Sequence, residues 1–461
     1  MPSIRDFETW MPLLAVMGGA GGFASPGSYL AGEVDARGGY GWTTPPGQQH
    51  LPVENLSVGI IRAVAARTGL DPIALVKDAL QEAAMARVSF VVSFFTGGRV
   101  VLHLFEFGPA VEVVAGGIGL GSLVLVEGAV PELWRRRPSP APRARPAATA
   151  DPELLERTLR ERLPGAVGAT EAEIAAAEAR LGILLPEELK ALYRVTRARW
   201  EDWGDDQDHE TAERFRTAVG CYPVPLDQLH MATAATRPLP WIYAAAEAAS
   251  TSPSATVQAL VGSPGWLVFG DNGGGDRVAI DLTPGPRGNV GQIIMIWHEE
   301  SYGADLFARS LTDLVMRRRK LRHGSRQGEM PAVARVNRGA LRSIESAVSP
   351  DLEVLSIGVW EGEPLSLTPA AGLPRLRTLT ALPGTLADPL EVTGLSGLEF
   401  LALGPQEWRV ILDAGAVPRG LLAAAVEEHG GDPLPLVAIA NELLAIWDRP
   451  RIAQTILEGN F

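Results

Sequence analysis

The densest cluster of chemistry-bearing side chains is Trp200–Glu213, WEDWGDDQDHETAE. It holds seven acids (Glu201, Asp202, Asp205, Asp206, Asp208, Glu210 and Glu213), the tryptophans Trp200 and Trp203, and no lysine or arginine. Carboxylates hold a cation only when their spacing makes them converge, and this spacing fixes no such geometry. Two readings remain. A charge run is ordinarily a solvated loop; interspersed aromatics instead suit an interface, with tryptophans as anchors and acids steering a basic partner into place. The second candidate is the stretch Phe269–Asp276, FGDNGGGD. Its glycines admit positive φ and close backbone approach, which an anion or metal cradle needs and a tight β-hairpin needs equally. Two aspartates disfavour phosphate without a cation. That leaves a structural turn, or a partner contact through Asp271, Asn272 and Asp276.

Signatures of catalysis are sparse. His298-Glu299-Glu300-Ser301-Tyr302 starts like a zinc-protease motif but lacks the second histidine. No nucleophile elbow, phosphate-binding lysine loop or complete dinucleotide fingerprint occurs, and no cofactor is implied. In the amino-terminal region His50, His103, Asp71 and Glu106 are candidates by residue type alone. An enzyme with its active site there stays open as a third alternative.

Bulk properties narrow the classes. The chain has 461 residues, 46% of them hydrophobic, and a net charge of −13. That is enough length for about three domains. An acidic chain repels nucleic-acid phosphates and attracts a basic protein. Only Lys77, Lys190 and Lys320 are lysines among 41 basic residues, a composition associated with high-GC bacterial genomes. The single cysteine, Cys221, fits a reducing cytoplasm. The strongly apolar run Val88–Gly98 is 11 residues, too short to span a bilayer. A cytoplasmic protein with no membrane contact is expected.

Two linkers are expected. Residues 135–150, RRRPSPAPRARPAATA, are Pro/Arg-rich and expected to stay extended; residues 317–330 carry a basic run. They separate an unrecognised α+β domain over 1–134, a central domain over 151–316, and a last domain over 331–461. In the first, helical patterns at 55–67 and 71–87 precede strand-like runs at Val88–Phe95, Val100–Phe107, Val111–Val114 and Leu123–Glu127. Thr96-Gly97-Gly98-Arg99 marks a hairpin. In the central domain Thr170 and Glu173 form a capping box. Ile174, Ala177 and Leu181 continue it as a helical stripe that Gly182 ends, and Pro186 opens another helix. Strand-like runs follow at Gly265–Phe269, Arg277–Leu282 and Gly291–Trp297, then a helix over Ala304–Met316. The last domain contains a repeat: Leu352-Leu355-Ile357, Leu376-Leu379-Ala381 and Leu398-Leu401-Leu403 share an LxxLxL core. Its spacings of 24 and 22 residues lie within the leucine-rich-repeat period. Each unit places a strand beside the next. Helices over 418–429 and 433–447 would cap the stack.

With these elements placed, the central domain resembles the SUKH superfamily. The residues that carry the resemblance are Thr170–Leu192 (TEAEIAAAEARLGILLPEELKAL), Trp266–Asp276 (WLVFGDNGGGD), Ala279-Ile280-Asp281-Leu282, Gly291-Gln292-Ile293, His298-Glu299 and Ala308-Arg309-Ser310-Leu311. The match departs from the compact family form at an acidic insert before Leu226 and at Ala244–Ala259. The resemblance implies a multidomain α+β chain whose central antiparallel sheet is flanked by helices. It also implies a non-catalytic protein-binding module, since bacterial members commonly act as immunity proteins that neutralise a toxin, often a nuclease. Under that reading Trp200, Glu201, Asp202, Trp203, Asp205, Asp206, Asp208, Glu210, Asp271, Asn272 and Asp276 contact a basic partner. The alternative is a cytoplasmic regulatory scaffold that bridges proteins.

Overall fold

A computed structural model describes residues 3–19, 29–43, 71–112, 122–199, 209–317, 332–427 and 434–460. The expected helix at 55–67, residues 318–330 of the basic run, and Trp200–Asp208 lie outside them. The chain divides into two compact units: Met1–Ala129 with Pro240–Ala246 and Pro331–Phe461, and Val130–Leu239 with Glu247–Met330.

The first unit contains two sheets. The strands of one are β1 (Tyr29–Asp35), β2 (Tyr40–Thr43), β3 (Arg87–Phe94), β4 (Arg99–Glu106) and β18 (Ala453–Asn460). This sheet is antiparallel and ordered β18-β4-β3-β1-β2. The expected hairpin joins β3 to β4: the Phe95 amide donates to the Arg99 carbonyl, and Gly97 and Gly98 both take φ of 82°, a region that side-chain-bearing residues avoid. Helices Phe7–Gly19 and Ala74–Glu82 cover one face. There Trp10, Leu13, Leu14 and Met17 pack with Val76, Leu80, Phe90, Leu102 and Leu104.

The strands of the second sheet are β5 (Val111–Glu112), β6 (Ser122–Val126), β13 (Val333–Val336), β14 (Val354–Ile357), β15 (Thr378–Ala381), β16 (Phe400–Leu403) and β17 (Ala423–Glu427). Their order is β13-β14-β15-β16-β17-β6-β5. The five from β13 to β17 run parallel, with Leu355 beside Leu379 and Leu379 beside Leu401. The sequence repeat therefore lies in register. Leu352, Leu376 and Leu398 form a second row, and both rows are buried in one core with the helix Leu434–Ile446. The opposite face sets the small residues Ala402, Ala423 and Ala425 beside Phe400 and Val124, and is covered by Pro240–Ala246. Trp241 stacks on Phe400 with ring centres 6.2 Å apart. Its indole N–H donates to the Ala129 carbonyl at 3.1 Å, and its amide to Glu112 at 2.6 Å.

Four expectations change here. Residues 1–134 and 331–461 do not fold separately, because β18 completes the first sheet and β6 pairs with β17 in the second. His103 and Gln454, in contact across β4 and β18, are 351 positions apart in the chain; pairing at such range leaves no local pattern. The expected helix over 418–429 is replaced in its described part, 418–427, by β17. Their alanines have high helix propensity, but small side chains are what the Trp241-covered face of β17 accommodates, and tertiary packing wins. Residues 304–316 split into β12 (Asp305–Ala308) and a short helix, Leu311–Val315. Ser310 ends the strand and caps the helix by accepting the Asp313 amide. Residues 135–150 are not a free linker. The Ser139 amide donates to Gln258, and Arg145 accepts the Val290 amide through its carbonyl.

The second unit is built on one antiparallel sheet. Besides β12, its strands are β7 (Tyr222–Pro223), β8 (His230–Met231), β9 (Trp266–Asp271), β10 (Arg277–Asp281) and β11 (Gln292–Ile296). They are ordered β12-β11-β10-β9-β7, with β8 also on β9. Helices Pro152–Arg162, Glu171–Leu181, Glu187–Val195 and Leu311–Val315 contribute to the core on one face. The Thr170–Glu173 capping box forms as expected, and Gly182 ends that helix at φ 71°. Ala232, Leu260 and Trp266 line the core on the other face. Burial on both sides explains why β9 to β11 read as nearly unbroken apolar runs.

Leu379→Ala tests the leucine ladder. Truncating this fully buried side chain is expected to destabilise the first unit by roughly 2–5 kcal/mol. Denaturant unfolding measures it, and a loss below about 1 kcal/mol would mean that the rows do not form the core.

Candidate functional site

A heavily braced feature of the second unit is the turn from β9 to β10. Asn272 organises it: its side-chain oxygen accepts the Gly274 amide at 2.7 Å and the Asp276 amide at 3.1 Å, while its amide nitrogen donates to Asp276 at 2.5 Å. Asp271 accepts the Gly273 amide at 2.7 Å. Asp276 is buried, and its other oxygen accepts the His298 backbone amide at 2.9 Å and faces the His298 ring Nδ1 at 2.7 Å. Burial pushes the Asp276 carboxyl up, but the hydrogen bonds from His298 and Asn272 outweigh it and hold the group below the ordinary aspartate range.

A second cluster buttresses the turn. Tyr222 on β7 lies opposite Asp271 in the ladder, and its ring sits so close beneath Gly273 that a Cβ there would come within 2.7 Å of it. The Tyr222 hydroxyl donates to Glu213, on the helix His209–Val219. Arg216 places its guanidinium 5.9 Å from the Tyr222 ring centre and ion-pairs with Glu213 at 2.6 Å. His209–Glu213, the last part of the acidic run, opens this helix, so the helix that carries the end of that run bears on the same turn.

The expected contact residues thus fare differently. Asp271, Asn272 and Asp276 do come together, but Asp276 points inward, so it builds the turn and presents no free charge. Its carboxylate is taken up by His298. Trp200, Glu201, Asp202, Trp203, Asp205, Asp206 and Asp208 lie outside the described residues, and for Glu210 only its place in the helix is described. Tyr222, Glu213 and His298 carry no joint signal in the sequence, because they come from a strand, a helix and the chain beyond β11, and no spacing announces that they flank one turn.

The amino-terminal candidates do not assemble. His103 and Glu106 are three residues apart on β4, which sends them to opposite faces. His103 stacks on Phe105, Glu106 pairs with exposed Arg5 at 3.3 Å, and Asp71 accepts the Ile73 amide. His50 lies outside the described residues. No group of metal-ligating side chains occurs among the described residues.

Elsewhere in the unit, buried polar groups lock the scaffold. Glu188 accepts the Leu311 and Thr312 amides at 3.3 and 2.9 Å and so caps the last helix. Arg237 donates to the carbonyls of Val261, Gly303 and Trp297 at 3.1, 2.8 and 3.2 Å, and to that of Glu300. Asp281, fully buried at the end of β10, accepts from Gln292 at 2.9 Å and the Thr283 amide at 2.9 Å. Burial raises its carboxyl to about 6 despite these bonds.

The comparison with known families fits this geometry. Residues 168–317 match the sequence model described as the SMI1 / KNR4 family (SUKH-1). This part of the chain is a SUKH-superfamily domain, set within a multidomain α+β chain. No curated protein matches the chain. No helix among the described residues is long and apolar enough to cross a membrane.

Asp281 gives a pH test. A carboxyl raised from 3.8 to about 6 in the folded state contributes stability that is fully present below its unfolded value and lost as pH rises through 6. The loss across that window is on the order of 3 kcal/mol. Asp281→Asn should flatten this part of the stability profile. Denaturant midpoints at about pH 4, 5, 6 and 7 decide it, and equal slopes in both proteins would rule the effect out.

Proposed function

We propose that the chain works by holding another protein through its SUKH domain, and that the partner is a basic toxin of the nuclease kind, neutralised by occlusion without turnover. The observation that carries this reading is the family match over residues 168–317. Charge supports it: residues 165–315 carry 21 acids against 11 bases, a surplus suited to mimicking phosphates at a basic active site and to fast, salt-sensitive association. The braced turn supports it too. A loop already held by Asn272, Asp276 and Tyr222 loses little freedom on binding. The contacts are then Asp271 and Asn272 at the turn together with Trp200, Trp203 and the acids of 201–210, in the cytoplasm where the toxin is made.

A scaffold that bridges partners is the second reading. It is favoured by the parallel stack of β13–β17, a leucine-rich-repeat-like surface of the extended kind that repeats use for binding.

The test is binding to a basic nuclease toxin encoded in the neighbouring genes, with co-expression survival as a second readout; neighbouring genes that encode no toxin would favour the scaffold. Reversing Glu201, Asp202, Asp205 and Asp206 to lysine should weaken affinity roughly tenfold or more at low salt, with the gap narrowing as salt screens the charges. Unchanged affinity and salt dependence would reject the acidic contact; an acidic partner would reject the whole assignment.

A further inference from the structure

The open edge of β18 presents a different surface. β18 is the end strand of its sheet, eight residues long, and pairs β4 without a bulge from Ala453 opposite Glu106 to Asn460 opposite Arg99. Protected edges carry proline, inward charge, a bulge or a short length. The opposite end strand, β2, is short at four residues. β18 has no proline, lysine or arginine, and among the described residues no strand covers its outer edge. Its side chains are mostly exposed, including Ile456 at 53%.

We propose that this edge is an interface with a second copy of the chain, through antiparallel β18–β18 pairing centred on Ile456. The argument is one of symmetry and complementarity. A twofold axis perpendicular to a sheet keeps every residue on its own face, and side chains alternate with period two. The register must therefore centre on a residue. Centring on Ile456 sets Ile456 against Ile456, Gln454 against Glu458 twice, and Thr455 against Leu457. Apolar meets apolar, and each carboxylate meets an amide. Centring on Leu457 sets Ile456 against Glu458, and centring on Thr455 sets it against Gln454. Both leave the exposed isoleucine facing a polar group. Glu458 is also neutralised within its own chain by Arg99 at 3.2 Å, so no like charges oppose across the axis. The pairing makes one continuous sheet out of the five-stranded sheets of the two copies.

Sedimentation equilibrium of the full chain, from about 1 to 100 µM, tests this. A reversible dimer of twice 49.0 kDa is expected. Ile456→Lys should raise the dimer Kd at least roughly tenfold. Gln454→Glu, which sets a second carboxylate against Glu458 across the axis, should raise it several-fold, and adding Glu458→Lys should restore it. Positions 454 and 458 are on the exposed edge, so this charge series remains decisive even if Ile456→Lys perturbs folding. A monomer at every concentration overturns the proposal. So does a dimer indifferent to the charge series, or an edge filled only by an unrelated extended peptide.

Discussion

Burial of β9, β10 and β11 on both faces is the constraint that the SUKH domain is built around. One face needs helices, and the Glu171–Leu181 and Glu187–Val195 pair contributes to it. The other face needs a second cover, supplied in part by the segment around Ala232 and Leu260. Covering a sheet with irregular chain buries backbone carbonyls that then require donors. Arg237 meets that requirement with one guanidinium and four carbonyls, and Glu188 does the reciprocal service for amides at a helix start. Removing either would strand several buried polar groups at once, which is costlier than losing one contact.

The turn at the sheet end inherits its rigidity from this frame. Its acids are employed chiefly to hold the Gly273 amide, Asn272 and His298 in place, so the geometry there specifies shape more than free charge. The denser concentration of carboxylates in the sequence of this domain lies between 201 and 213.

Local signals in the sequence carry through to structure where the interaction itself is local. The capping box at Thr170, the αL glycine at 182, the Gly97-Gly98 hairpin and the leucine spacing each involve partners within one turn or one repeat. Where partners are distant, the pattern misleads. Ala423–Ala425 looks helical until Trp241 arrives, and Leu306-Phe307 continues a helical stripe until β11 claims it. Ser310, a strong cap, is the local clue that the helix starts later. The turn residues Asp271, Asn272 and Asp276 are legible as a group, but the inward rotation of Asp276 depends on His298 and is not.

Apart from the short Pro240–Ala246 segment, the SUKH unit sits in sequence between the amino-terminal and carboxyl-terminal parts of the other unit, and this sets the order of events at the ribosome. The strands β3, β4 and β6 emerge early, but β17 and β18, which must lie against β6 and β4, are made only after the nested unit. Throughout that interval the nested unit has its whole complement of strands and can fold, while its host waits with naked sheet edges. Contacts of such long range form slowly and leave strands open to mispairing meanwhile. Nascent chains of this protein should therefore be most open to mispairing late in synthesis, until the stretch from Ala453 to Asn460 covers the edge of β4.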